Sequence, residues 1–381
     1  MRPLRKGPGV MLAVTVLMGI LLFVAHALPP QLTASFADLA RRADAAKDAD
    51  RVDEALALYR KALELNPKWA EGWWSLGTLE YDRNDYAAAA RDLRRLLPLA
   101  PKDGTARVLL GLCEYELGQD VAALKDLREG RKLGVANDPQ LQQVVFYHEG
   151  LLLLRSGQFK LAQQSFGTLC QMHVESADLM QGMGMAVLRM PPAELPAAGS
   201  PNLTLVQRIG NAACLSAVKK FDEASAQFQQ LLADAPTFPN LHYAYGLSLL
   251  EANNTPEAVG QFKEAIQQNP KSVEARLEIA AALYKVDSKT ALPYAEEAAT
   301  LKPQLPFTHY LLGLLLLDNN DPLKAIPELE AAAKAFPREK RVFFALGSAY
   351  ARAGNSQEAA KARAKFQELT EAQQTDEPTT Y

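Results

Sequence analysis

Apolar side chains along this chain fall into a pair of stripes that keeps returning. Trp73, Leu76 and Tyr81 recur at three- to five-residue spacing, and Ala89, Leu93 and Leu96 form a second set. Each spacing lays one apolar stripe along a helix. The same two stripes return about every 34 residues, in blocks that begin at Phe36, Ala70, Gly104, Gln143, Leu205, Pro239, Val273, Pro306 and Lys340. Position 8 of a block is small, as in Gly77, Gly246 and Gly313, and position 20 is alanine, as in Ala89, Ala258 and Ala325, with Ala291 one place early in the block from Val273. Small residues there let two helix backbones approach. Position 32 is often proline, as in Pro101, Pro270 and Pro337, which ends the second helix because the preceding residue is pushed out of the α region. Thr255-Pro256 and Asp321-Pro322 place a capping oxygen ahead of a proline, the expected start of a second helix. Each block therefore predicts two amphipathic helices, A and B.

This pattern resembles the tetratricopeptide repeat (TPR) family, whose unit reads W-x2-L-G-x2-Y, then A-x3-F-x2-A, then P. Residues 70–103 supply Trp73, Leu76 and Gly77, then Ala89, Leu93 and Leu96, then Pro101. Residues 239–272 supply His242, Tyr245 and Gly246, then Ala258, Phe262 and Ala265, then Pro270. The resemblance covers residues 36 to about 373. It implies an all-α fold, a right-handed superhelical solenoid of about nine to ten helix-turn-helix units with an extended concave surface. Two departures stand out. Five extra residues, 138–142, precede the fourth block, and residues 177–204 carry helix A material around Gly184 followed by MPPAELPAAGSPN. The second departure reads as a degenerate tenth unit with a Pro/Ala-rich loop at 190–202. That loop is either a bend between two arrays, 36–189 and 203–373, or a binding element. Residues 28–35 read as a linker and 374–381 as a disordered tail.

The first 27 residues differ from the rest. Arg2, Arg5 and Lys6 precede an uncharged apolar run from Val10 to Ala27 that ends Ala25-His26-Ala27. This describes a signal peptide, with an uncleaved anchor at 10–27 as the rival. Either way the body is expected to be exported, periplasmic or secreted, or held at the membrane with the array outside the cytoplasm. The chain carries 41 basic and 44 acidic residues. Losing the leader leaves 38 basic residues and a net charge near −6. No basic stripe argues for nucleic acid. Cys113, Cys170 and Cys214 fit no metal spacing. They are expected as small buried hydrophobes, with at most one bridge and a free thiol if exported.

His242 and His309 share position 4 of helix A, where other blocks carry Trp73 or Phe343. Two stacked units would set them roughly 20 Å apart, far beyond a shared metal at about 2.1 Å per bond. They are expected to be scaffold. No phosphate loop, dinucleotide fingerprint or nucleophile elbow is present, so no catalytic, cofactor or metal residues are expected.

Carrying the family's inward positions over to this chain makes positions 5 and 12 of helix A the candidate peptide-binding groove. Trp74, Tyr81, Tyr115, Tyr147, Tyr243, Tyr284, Tyr310 and Phe344 are the rings in that series. Rings offer large contact area at low entropy cost. Only Arg155, Lys285 and Arg352 supply cations at position 13, a poor match to a basic clamp for a C-terminal carboxylate. The resulting expectation is a monomeric, non-enzymatic scaffold for a protein or peptide ligand. The alternatives are a hydrolase built on His148 and Glu149, or self-association, against which the polar last helix (356–371) argues.

Overall fold

The computed structural model describes residues 35–135 and 138–376. The expected leader, the linker up to residue 34 and the last five residues lie outside that range. Among the described residues every element is helical, and no helix is long and apolar enough to cross a membrane. The chain divides into two compact units, Met1–Leu76 and Gly77–Tyr381.

The first unit holds α1 (Phe36–Asp48), α2 (Val52–Leu65) and the start of α3 (Ala70–Asp82). Ala43 and Ala46 meet Ala55, Tyr59 and Ala62, all without solvent contact. The Tyr59 hydroxyl donates to Asp44 Oδ1 at 2.6 Å, and burial and that carboxylate push the phenol up to about 12. Trp69 wedges against Phe36 and Tyr59 at 5.2 and 5.7 Å between ring centres.

The second unit continues with α4 (Tyr86–Leu96), α5 (Gly104–Glu116), α6 (Asp120–Lys132), α7 (Pro139–Arg155), α8 (Phe159–Gln171) and α9 (Ala177–Val187). A 3-10 turn at Pro192–Glu194 separates α9 from α10 (Pro201–Ala217). The remainder is α11 (Phe221–Asp234), α12 (Leu241–Glu251), α13 (Thr255–Gln268), α14 (Val273–Leu283), α15 (Ser288–Leu301), α16 (Pro306–Asp318), α17 (Pro322–Ala335), α18 (Lys340–Arg352) and α19 (Ser356–Asp376). Two expectations change at helix ends. Thr255 is the first residue of α13 rather than its cap, and Asn254 stands before it, donating to Glu257 instead. At the other end α19 runs on to Asp376, three residues into the expected tail.

Position 8 meets helix B where expected. A Cβ on Gly246 would come within 2.6 Å of the Phe262 ring, which is fully buried beneath it. Eight of the A–B turns reverse the chain through one left-handed residue. Asp50, Asn84, Gly118, Gly157, Lys219, Asn253, Asn320 and Gly354 all sit at position 15 with positive φ. Gly and Asn tolerate that region best. The block that starts at Val273 is one residue shorter, and its turn closes through hydrogen bonds from Val286 and Asp287 to the Leu283 carbonyl.

The 190–202 loop joins two helices that pack on each other. Gly184 faces the Val206 backbone and Gly210 the Met180 backbone, so closely that neither has room for a Cβ. One apolar core passes from Leu153 through Met183 and Ile209 to Ile279, on both sides of the loop. Cys170 and Cys214 are disulfide-bonded, tying α8 to α10 with their Cα atoms 5.5 Å apart. Two of the three cysteines are thus a staple instead of plain hydrophobes, because α9 lets α8 and α10 meet. Cys113 is free and buried, and desolvation pushes its thiol up to about 12.

Candidate functional site

The ring series splits into three parts. Trp74 belongs to the first unit and is half-buried. In the second unit Tyr81, Tyr115 and Tyr147 are half-buried on the successive A helices α3, α5 and α7. Tyr81 meets Tyr86 edge-on at 5.5 Å. Tyr115 and Tyr147 are joined by His148, whose ring stands edge-on to both, at 4.7 and 5.7 Å. Arg155 lies 4.4 Å over the Tyr115 ring and donates to its hydroxyl at 3.0 Å. Desolvation raises both phenols and lowers the His148 imidazole. The result is a short ladder of rings and one guanidinium, polar at its edge and apolar on its faces.

Further along, Tyr284, the residue that caps the end of α14, and Tyr310 on α16 are half-buried. Lys285 Nζ sits 4.0 Å from the Tyr284 ring centre and donates to its hydroxyl at 2.9 Å. Phe344 is 61% exposed and leans on Phe366 of α19 at 5.5 Å.

Between these two groups the series is interrupted. Tyr243 is only 4% exposed and packs against Phe262 at 5.7 Å. It cannot line an open groove. Position 5 is a packing slot wherever another element covers it, as the fully buried Val108 and Ile209 also show. Here the cover comes from the end of α9. Arg189 crosses to Glu274 at 3.0 Å, Asn240 donates to the Leu188 carbonyl at 2.7 Å, and the Tyr243 hydroxyl faces Arg189.

Where position 5 closes, positions 9, 12 and 13 of the same helix open. Leu247, Leu250 and Glu251 of α12 line a cavity of 580 Å³. Its opposite wall is α8, with Lys160, Gln163 and Gln164. Ser216 and Ala217 at the end of α10 and Glu278 of α14 complete it. Gln163 reaches across to Glu251 at 3.0 Å and Lys160 stands 3.9 Å from Glu278. Glu251 is exposed at the mouth, and desolvation by the protein on its other side raises its carboxyl above the ordinary value. The family's inward positions pointed to Leu250. The glutamines of α8 had no signal in the sequence, since a helix B face turns inward only where the array folds back on itself.

The histidines at position 4 are scaffold. His242 Nδ1 pairs with Gln261 at 2.7 Å; His309 Nδ1 pairs with Glu328 and its Nε2 with the Pro303 carbonyl, both at 2.6 Å. In the first unit the Trp73 indole N–H makes the corresponding bond, to Pro67 at 2.8 Å. At Trp73 and His309 position 4 thus ties helix A to the proline turn before it, whereas His242 ties α12 to α13. His148 and Glu149 do not act as a pair: His148 Nδ1 contacts the Val144 carbonyl at 2.8 Å, whereas the buried Glu149 carboxylate is held by Arg128 at 2.8 Å and Arg131 at 3.4 Å.

Five stretches, 40–104, 75–140, 217–273, 243–306 and 310–374, match the family model described as Tetratricopeptide repeat. Together they span more than half of the chain. Similar solved structures include MamA, residues 41 to the end, from Desulfovibrio magneticus RS-1, at 23% identity over 44% of this chain and 96% of that one, with a TM-score of 0.42. A second MamA structure matches at 21% identity over 47% and 99%, with a TM-score of 0.43. No curated protein matches.

Proposed function

The chain belongs to the tetratricopeptide repeat family, and from that premise we propose that it is an exported scaffold that holds a polypeptide partner against its inward-facing rings. The observation that carries this reading is the ladder of Tyr115, His148 and Tyr147 with Arg155 stacked at its edge. Half-buried tyrosines with a polar rim are the composition of interface hot spots. Tyr284 and Tyr310 offer a second such face. Export is supported by the basic-then-apolar leader and by the Cys170–Cys214 disulfide, a bond that persists in oxidising compartments.

The test is selection of peptides from a random library displayed on phage, with the disulfide-intact protein as bait. Selected peptides are expected to bind the Tyr115→Ala/Tyr147→Ala variant roughly tenfold or more weakly, while circular dichroism reports unchanged helix. Equal binding to both proteins would move the site off these rings.

A further inference from the structure

We infer that the 580 Å³ cavity between α8, α10, α12 and α14 is a socket for one basic side chain, lysine or arginine, of the bound polypeptide. This rests on the reading that a polypeptide is what the array binds.

The charge in the cavity is arranged for a single cation. Glu251 accepts one hydrogen bond, from the Gln163 amide. Among the described residues no lysine or arginine lies within ion-pair distance of it. Two helices, α10 and α12, also end at the cavity, with Ala217 and Glu251 as their last residues. The C-terminal end of a helix carries partial negative charge, which adds to the pull on a cation. Desolvation raises the Glu251 carboxyl, the mark of a charge that its own surroundings do not compensate. An ammonium or guanidinium brought beside it supplies that compensation.

The walls suit the rest of such a side chain. Met183, Leu247, Leu250 and Phe221 give apolar surface for the methylene stem. Gln164 and Gln171 stand beside the mouth, Gln171 already donating to the Ala217 carbonyl at 3.1 Å. Amides there can pair with an extended peptide backbone. The mouth also carries positive charge. Lys160 is engaged with Glu278, and Lys219 stands on the turn after α10. A ligand with several cations is repelled at that rim, whereas one basic residue flanked by neutral or acidic ones is not. The same alkylammonium chemistry exists in free polyamines, and these two lysines favour the peptide source.

The experiment is saturation-transfer NMR on the full exported protein with its disulfide intact. The probes are capped tripeptides Ala-Xaa-Ala, with Xaa lysine, arginine, norleucine or glutamate, and spermidine. The lysine and arginine peptides are expected to bind, and norleucine and glutamate to bind roughly tenfold more weakly or not at all. Glu251→Gln is expected to erase the preference for lysine over norleucine, and Thr168→Trp, which fills the cavity from α8, to remove the signal. Equal binding of lysine and norleucine, an unchanged preference in Glu251→Gln, or no signal from any peptide would overturn the socket. Spermidine binding as well as the lysine peptide would overturn the peptide as its occupant. If phage-selected peptides depend on Tyr115 and Tyr147 while the lysine preference is absent, the socket fails and the scaffold stands. If neither assay shows binding, both fail.

Discussion

At Lys219 the backbone is left-handed, φ 65°, in a position that the other blocks give to glycine, asparagine or aspartate. A lysine there costs about 1 kcal/mol against glycine. Lys219→Gly is therefore expected to raise stability by about 1 kcal/mol less the extra freedom that glycine gives the unfolded chain, seen as a higher urea midpoint at unchanged slope. A lower midpoint would mean that the lysine side chain makes up the strain. His309 offers a pH-dependent prediction. Burial pulls its imidazole down, but Glu328 and the Pro303 carbonyl pull it up further, and the net shift is upward. The folded state thus holds the proton more tightly than the unfolded chain. That stabilisation is complete below the ordinary histidine value and fades as pH rises through the raised one. As pH rises above about 6.5, the ordinary histidine value, melting temperature is expected to change less favourably in the wild type than in His309→Gln. Equal slopes would show that other groups govern this range. The scaffold role of the histidines was legible from their shared slot at position 4. The burial of Tyr243 was not, because its cover, Arg189, lies far off in sequence and no local pattern announces it.

Among the helices, α9 and α10 carry the tightest demand. A Cβ on Gly210 would collide with the Met180 carbonyl, which is backbone and cannot step aside. Gly210→Ala is expected to cost about 3 kcal/mol or more. Gly260, exposed in the middle of α13 with open space where its Cβ would be, is the contrasting case. Gly260→Ala is expected to gain about 1 kcal/mol from helix propensity alone. Thermal melts of the two variants check both, and a mild loss at Gly210 would show that α9 and α10 can separate without penalty. The helix pairs themselves, with their small positions 8 and 20, could be read from the period. The partner of α9 could not. Residues 190–202 announced a loop, but the pairing of Gly184 with Val206 and of Gly210 with Met180 depends on the loop folding back, and that lies in tertiary contact.

In the whole molecule one covalent tie stands out against a succession of neighbour-to-neighbour contacts. The disulfide joins Cys170 to Cys214, which are 44 residues apart in sequence. Closing a loop of that size in the unfolded chain stabilises the native state by about 4 kcal/mol on a chain-entropy account. The Cys170→Ser/Cys214→Ser variant, or the wild type after reduction, is expected to lose stability of that order, seen as a lower melting temperature. An unchanged melt would place the bond outside the cooperative core. Neither its existence nor its position was legible beforehand, since three cysteines at wide spacing look alike until α8 and α10 are seen side by side. The staple has a mechanical side as well. A chain pulled from its ends lengthens by about 3.5 Å for each residue released. Residues between Cys170 and Cys214 are shielded from that pull, so stretching stops about 150 Å short of the full contour. An array that holds a partner under tension thus has a segment at its middle that force cannot draw out, and reducing agent alone returns the missing length.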